Sequence, residues 1–259
     1  MTTVDKNDLF EYALRLGDTS LVLGHRLSEW CGHAPEMELD MAMSNLGLDL
    51  IGQARLFLTY AGEIEGQITG GQGRDEDQLA YLRDVLDYRN FLLVEQPNGD
   101  WAVTIARQFY FSVFQQLYFQ QLATSSDEQL AAIARKALPE IEYHVRFATE
   151  WVLRLGDGTE ESKRRMQEGL VSLSRFTAEL FESDDLENRL IAAGVAPDAA
   201  LLRPIWQERI EDTLREAGLE TPPPHRPVLG GRKGHHTEHL GYILTEMQYL
   251  QRAYPGAKW

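Results

Sequence analysis

Apolar side chains recur every three or four positions along most of the chain, which is the spacing of helices that bury one face. The pattern is clearest over about residues 127–155, where steps of four and three alternate in a seven-residue repeat typical of a bundle helix. The apolar positions of this run are Ala134, Leu138, Ile141, Val145, Ala148, Val152 and Leu155. His144 lies one helical turn from Ile141 and from Ala148, so it borders the predicted buried seam.

The same spacing predicts three more long helices and indicates no strand. They cover about residues 5–31, 36–60 and 101–123. Asp5 or Asn7 can cap the first of them. Turn-forming stretches at 32–35 and 124–127 join the four long helices into two hairpins, the topology of a four-helix bundle. Shorter helices are predicted at about residues 75–88, 160–182, 184–193, 198–217 and 237–253.

We therefore predict an all-α fold of one domain over residues 1–259, with a four-helix bundle core at about 5–155 and additional C-terminal helices at about 159–259. Pro139 is expected to kink or break the fourth helix, because proline donates no backbone hydrogen bond. The Gly-rich stretch 63–74 is expected to be a mobile loop. Aromatic residues expected to fill the core crowd the third long helix: Phe109, Tyr110, Phe111, Phe114, Tyr118 and Phe119.

Composition narrows the classes of protein. There are 40 Asp and Glu residues against 25 Lys and Arg, a formal net charge of −15, which argues against general nucleic-acid binding. The single cysteine, Cys31, cannot form an internal disulfide, as suits a reducing cytoplasm. Residues 1–10 lack the pattern of a signal peptide, and no uncharged apolar run approaches the ~20 residues that span a bilayer. We expect a cytoplasmic protein without a membrane segment.

Carboxylate-bridged di-iron bundles take one Glu from each of two helices and a Glu-x-x-His motif from each of the other two. Three positions before His144 stands Ile141, so the histidine of such a motif is present and its carboxylate is missing. Mirroring positions about the two hairpin turns gives a candidate core layer at one depth. Its members are Asp18, Asp49, Gln53, Arg107, Gln108, Glu140 and His144.

This layer holds too few anionic oxygens for two iron ions, and it includes an arginine. A guanidinium among carboxylates repels a metal cation and can neutralise the acids itself. We therefore expect a vestigial core with no metal and no catalytic residue, in which Arg107 pairs with Asp18 or Asp49. A working di-iron centre is the alternative.

A second candidate motif lies near the end of the chain. Residues 235–239, HHTEH, match the His-x-x-Glu-His pattern of inverted zinc peptidases. That pattern needs both histidines inside one helix, whereas Thr237 is placed as an N-cap and leaves His235 outside the helix. We expect these residues to form hydrogen bonds at the start of the last helix and at an interface, rather than a zinc site.

Five longer segments carry a family resemblance. They are LSEWCGHAPE at 27–36, NLGLDLIGQAR at 45–55, VEQPNG at 94–99, HTEHLG at 236–241 and EMQYLQR at 246–252. Together they resemble the C subunits of bacterial ring-1,2-phenylacetyl-CoA epoxidases, also called phenylacetyl-CoA oxygenases, over nearly the whole chain. The loops at 67–74 and 221–227 are longer than the family pattern implies.

The resemblance implies a ferritin-like fold and a role in aerobic phenylacetate breakdown. It implies a non-catalytic structural subunit without a cofactor of its own, supporting a catalytic A subunit that holds the di-iron centre. The implied assembly is a heterotetramer of two A and two C chains, with a homodimer for the chain alone. A self-sufficient ferritin-like di-iron oxidase or oxygenase is the alternative.

One dense positive cluster stands out in this acidic chain. Its members are His225, Arg226, Arg232, Lys233, His235 and His236. Glycines at 230, 231 and 234 would leave backbone N–H groups open beside the start of the last helix, where anions are favoured. We favour docking of Arg232, Lys233, His235 and His236 on an acidic patch of the catalytic A chain. Contact with coenzyme A phosphates and a solvated loop remain alternatives.

Overall fold

The structure, a computed structural model, describes residues 4–257, and every regular element in that range is a helix. The α-helices are α1 (Lys6–Ser28), α2 (Met37–Thr69), α3 (Glu76–Tyr81), α4 (Leu92–Glu95), α5 (Trp101–Leu122), α6 (Glu128–Gly156), α7 (Glu160–Ser174), α8 (Asp185–Ala192), α9 (Arg203–Glu216) and α10 (Glu238–Ala253). Single 3-10 turns cover Val85–Asp87, Thr177–Phe181, Ala199–Leu202 and Gly231–Lys233. The predicted all-α class is confirmed, and it fits a ferritin-like fold.

Aspartate caps start three of the four long helices at or next to the predicted residues. The carboxylate of Asp5 accepts a 2.9 Å hydrogen bond from the N–H of Asn7 at the start of α1. Asp100 and Asp127 accept corresponding bonds of 3.0 and 2.9 Å at the starts of α5 and α6. Each bond satisfies a backbone donor that the first helical turn leaves unpaired.

Helix α2 is longer than the sequence predicted, because residues 63–69 belong to it and not to a loop. Glycines on both sides of this stretch allow the chain that follows to fold back onto the helix. A β-carbon at Gly62 would collide with the carbonyl oxygen of Arg74, and one at Gly73 would collide with the carbonyl of Gly62. The returning segment is also tied by an ion pair of 2.6 Å between Arg74 and Glu65.

Of the two effects expected of Pro139, a break is absent and a kink stays a prediction. Helix α6 continues through Pro139 without a break. Ala137 and Ile141 on either side of the proline are buried, so the packed face holds the helix across the missing backbone bond. The shorter predicted helices at 75–88, 160–182 and 198–217 divide instead into an α-helix and a 3-10 turn.

The chain divides into two compact units. Residues 4–96 and 230–257 form the first, in which α1 and α2 pack as a hairpin and α10 packs against α1, α3 and α4. Residues 97–229 form the second, in which α5 packs against α6, α7 and α9. The single domain with its core at about 5–155 stays a prediction.

Helix α5 is the core of the second unit. Its six aromatic residues between Phe109 and Phe119 are all at most 7% exposed, which confirms that they fill the core. The helix nevertheless buries Arg107, Gln108 and Gln115. No helix within residues 4–257 combines the length and the apolar character needed to cross a membrane.

Candidate functional site

Asp18, a residue of the predicted layer, is fully buried in α1 and is held by an arginine. The guanidinium of Arg83 donates a 3.0 Å bond to Oδ2 of Asp18 and a second bond to Oδ1. The backbone N–H of Arg89 donates a third bond, 2.9 Å long, to Oδ2. Because a buried carboxylate needs both an opposite charge and hydrogen bonds, this arrangement commits Asp18 to a structural ion pair.

Arg83 itself is nearly buried and uses its remaining donors inside the first unit. Its Nε donates to the carbonyl of Leu79 over 2.5 Å, and Nη1 also donates to the carbonyl of Asp87 over 3.0 Å. The guanidinium carbon lies 4.5 Å from the ring centroid of Tyr88. The cation that neutralises Asp18 therefore comes from the segment after α3. This segment lies outside the long helices whose positions were mirrored about the hairpin turns.

In the second unit, Arg107, Gln108 and His144 are fully buried and Glu140 is half-buried. Nη2 of Arg107 donates a 2.5 Å hydrogen bond to Oδ1 of Asn98, in the turn that precedes α5. The side-chain amide of Gln108 forms no hydrogen bond within the described part of the chain. The pairing of Arg107 with Asp18 or Asp49 stays a prediction.

The donors of this layer do not fit a di-iron centre. On α2, Asp49 is half-buried and Gln53 is 2% exposed, so this helix contributes one carboxylate and one neutral amide. Ile141 and Leu50 are fully buried at the two positions where the Glu-x-x-His motif needs glutamates. Within residues 4–257, no group of three or more His, Cys, Asp and Glu side chains is arranged to hold a metal ion.

A second buried carboxylate, Glu95 at the end of α4, gathers the polar groups that surround the start of α10. Its Oε1 accepts a 2.6 Å bond from the backbone N–H of Thr237 and a 2.7 Å bond from the Thr237 hydroxyl. Its Oε2 accepts a 2.9 Å bond from Asn90 and lies 2.8 Å from Nδ1 of His236. Glu95 thus fastens the last helix to the first unit, although sequence reasoning assigned it no role.

The ring of His236 lies between two acceptors. Its Nε2 is 2.9 Å from the carbonyl oxygen of Tyr88, which can only accept, so this nitrogen carries a proton. Its Nδ1 faces the Glu95 carboxylate. A second proton, on Nδ1, therefore makes the ring positively charged and forms an ion pair with that carboxylate. Burial lowers the pKa of His236, but the hydrogen bond and the charge of Glu95 outweigh burial and raise it above its ordinary value.

The positive cluster occupies several environments. The His236 side chain is only 1% exposed, so its ring is an internal group rather than part of the surface. The guanidinium of Arg232 lies 4.9 Å from the ring centroid of Phe91, while Lys233 and His235 are exposed. His225 and Arg226 are exposed residues of the second unit. An interface role for Arg232, Lys233, His235 and His236 stays a prediction.

The glycines before α10 have a different purpose from the one expected. A β-carbon at Gly231 would collide with the carbonyl of Asn90, and one at Gly234, where φ is +79°, would collide with the carbonyl of Leu86. The N–H groups of residues 233, 234 and 235 donate to carbonyls within the same loop, over 2.9 to 3.0 Å. Close packing, and not open N–H groups, therefore accounts for these glycines.

Thr237 is the N-cap of α10, as predicted, and His235 lies outside that helix. The Thr237 side chain donates to Glu95 rather than capping the helix. His236 also contacts Glu95, so the HHTEH segment forms hydrogen bonds at the start of α10. This arrangement lacks the two histidines on one helical face that a zinc peptidase needs.

Comparison with known proteins covers both structural units. The full chain, residues 1–259, matches the model of a protein family described as phenylacetic acid catabolic protein. A protein of Escherichia coli strain K12, named as the C subunit of 1,2-phenylacetyl-CoA epoxidase, is 50% identical to this chain over 253 residues. That match covers 98% of this chain and 100% of the Escherichia coli protein.

Proposed function

The chain belongs to the phenylacetic acid catabolic protein family, and from this membership we propose that it is the structural C subunit of a multicomponent 1,2-phenylacetyl-CoA epoxidase. The observation that carries the proposal is the 50% identity to the Escherichia coli C subunit over the whole of that protein. Asp18 is paired with Arg83, and Ile141 is buried where a di-iron motif needs a glutamate. Both features support a structural rather than a catalytic role.

A structural subunit needs a partner that performs the chemistry. We assign that chemistry to a catalytic A subunit, whose di-iron centre would activate oxygen for epoxidation of the aromatic ring of phenylacetyl-CoA. The proposed assembly is a heterotetramer of two A and two C chains in the cytoplasm. In this assembly the contribution of the present chain is to bind and stabilise the A subunit.

The test is to produce this chain alone and together with the catalytic A subunit of such an epoxidase. Alone, after iron loading, we expect less than about 0.1 iron per chain, against the pair of metal ions that a bundle of this class holds. Together, we expect one co-eluting complex whose epoxidation of phenylacetyl-CoA requires both chains. About two irons per isolated chain, or activity of this chain alone, would refute the structural role and favour a self-sufficient oxidase.

Half-buried Arg232 and exposed Lys233, the two cations before α10, provide a sharper test of docking. Replacing Arg232 and Lys233 together by Ala should weaken association with the A subunit about tenfold and make the remaining affinity less sensitive to salt, because rim charges guide association. The matched control replaces the adjacent exposed pair Arg135 and Lys136 by Ala, which removes equal charge from the second unit.

Titration calorimetry at low and high salt measures both double variants. If assembly is intact and only the apparent KM for phenylacetyl-CoA rises, the loop contacts the phosphates of coenzyme A instead. Unchanged assembly and kinetics would show that the loop is a connector. An equal loss in the Arg135 and Lys136 control would assign the effect to net charge and not to this surface.

A further inference from the structure

The second unit contains a cavity of about 250 Å³ that the subunit role does not use. It lies between the 3-10 turn Thr177–Phe181, helix α9 and the proline-rich segment at 221–227. Water occupies about 30 Å³ per molecule in the liquid, so the cavity has room for roughly eight waters or one ligand of about ten non-hydrogen atoms. All the residues that line it belong to the same unit.

Aromatic rings form one wall of this cavity. The ring of Trp206 lies 5.3 Å from that of Phe181 and 5.7 Å from that of Tyr110, measured between centroids. The indole N–H of Trp206 donates to the carbonyl of Tyr110 over 3.0 Å, and the Tyr110 hydroxyl donates to the carbonyl of Leu170 over 3.2 Å. Because both polar groups are used inside the protein, the wall offers a ligand apolar ring surface.

Two arginines line the cavity, and the guanidinium of Arg203 lies beside the aromatic wall, whereas that of Arg175 lies over the ring of Phe176. The Arg203 guanidinium carbon lies 6.0 Å from the Phe181 ring centroid, and Arg175 also lines the cavity. Within the part of the chain that the structure describes, neither side chain forms an ion pair. The one acidic group in the lining is Glu211, whose carboxylate accepts a 2.9 Å bond from the amide of Gln207. The cavity therefore has a net positive charge in a chain of net charge −15.

The roof of the cavity is the proline-rich segment, which is fixed at both ends. Before the prolines, the backbone of Glu220 exchanges two hydrogen bonds of 2.8 and 2.9 Å with the Gln167 side chain. After them, the N–H of Val228 donates to the carbonyl of Arg175 over 3.0 Å. Consecutive prolines hold an extended backbone and lose little entropy on ordering. The roof is therefore preformed, which lowers the cost of binding a ligand beneath it.

We propose that this cavity binds a small aromatic monocarboxylate, with the ring against Trp206 and Phe181 and the carboxylate held by Arg203 and Arg175. The planar guanidinium matches the planar carboxylate in charge and in hydrogen-bond geometry, and it also stacks on aromatic rings. An aromatic ligand without a carboxylate would lose the ion pair. A carboxylate on a saturated ring would lose the stacking. This site is independent of the proposed subunit role, since the isolated chain contains all of it.

The experiment is calorimetric titration of the isolated chain with sodium benzoate at low salt. We expect saturable binding with a Kd near or below about 1 mM. Benzamide, which keeps the shape but has no charge, should bind at least tenfold more weakly, and cyclohexanecarboxylate, which keeps the charge without the aromatic ring, should also bind more weakly. No saturation by about 10 mM benzoate, or equal binding of benzamide, would overturn the proposal.

Variants locate the site. Arg203→Gln should weaken benzoate binding at least tenfold, and because Arg203 is exposed the variant should fold normally. The matched control is Arg209→Gln on the same helix, whose guanidinium bonds Gln116 over 2.8 Å and lies outside the cavity. The control should bind benzoate like the parent chain. An equal loss in both variants, or no loss in Arg203→Gln, would show that benzoate binds elsewhere.

Discussion

Replacing Arg83 by Met should destabilise the first unit by about 3–5 kcal/mol, because the substitution leaves the carboxylate of Asp18 buried without its counter-charge. Asp18 is completely buried in α1, so water cannot replace the two lost hydrogen bonds. The expected result is earlier unfolding in urea and faster hydrogen exchange of the α1 amides, which reports on this unit separately.

Two further variants isolate the cause of this effect. Asp18→Asn combined with Arg83→Met removes both charges and should recover part of the lost stability. Arg55→Met breaks the exposed ion pair with Glu76 and should cost less than about 1 kcal/mol. If Arg83→Met is no worse than Arg55→Met, the buried ion pair is not what stabilises α1.

Replacing Glu95 by Ala should cost a similar amount, about 3–5 kcal/mol, and should loosen the last helix. The change removes the acceptor for the Thr237 N–H and hydroxyl and the counter-charge of His236. Urea unfolding measures the loss, and limited proteolysis should cut the variant before α10. Glu238→Ala, which removes an exposed carboxylate from the first turn of the same helix, should cost at most about 1 kcal/mol.

The pH dependence of the unfolding free energy separates the contribution of the His236–Glu95 ion pair from that of the other hydrogen bonds of Glu95. Below the pKa of an unfolded histidine, about 6.5, both states hold the proton and the pair contributes fully. As the pH rises through the higher pKa of folded His236, the proton leaves the native state and that stability is lost. The parent chain should therefore lose stability above about pH 6.5, and Glu95→Ala should lose less. Equal pH slopes in the two chains would contradict the charged pair.

The long helices were predictable because their signals are local. Periodic apolar positions and single aspartate caps lie within one or two turns of the element that they define, as at Asp100 and Asp127. The end of α2 was missed because the glycines of residues 63–74 resemble a loop. In the folded chain Gly62 and Gly73 allow a close backbone contact that the sequence does not reveal. The break considered at Pro139 is absent for a related reason, since packing of α6 outweighs its lost backbone bond.

The polar core was less predictable than the helices. Mirroring about the hairpin turn placed Asp18 in the core layer, and apolar spacing placed His144 beside the buried seam. Both are fully buried. The cation that neutralises Asp18 is Arg83, which lies 65 positions later in the chain, between α3 and a 3-10 turn. Glu95 likewise lies in a helix of 4 residues, and two of its partners, His236 and Thr237, follow 141 and 142 positions later. Pairings at such separations have no signature in the local sequence.

The separation between Glu95 and His236 also affects how the chain matures. The first unit combines residues 4–96 with residues 230–257, so it is complete only once the ribosome has made α10. At about 5–20 residues per second, the intervening 141 residues need on the order of ten seconds. During that interval the second unit can fold from a continuous stretch. Glu95 meanwhile lacks the hydrogen bonds from His236 and Thr237. A chain that ends before residue 230 would therefore contain the whole second unit but would lack α10 of the first unit.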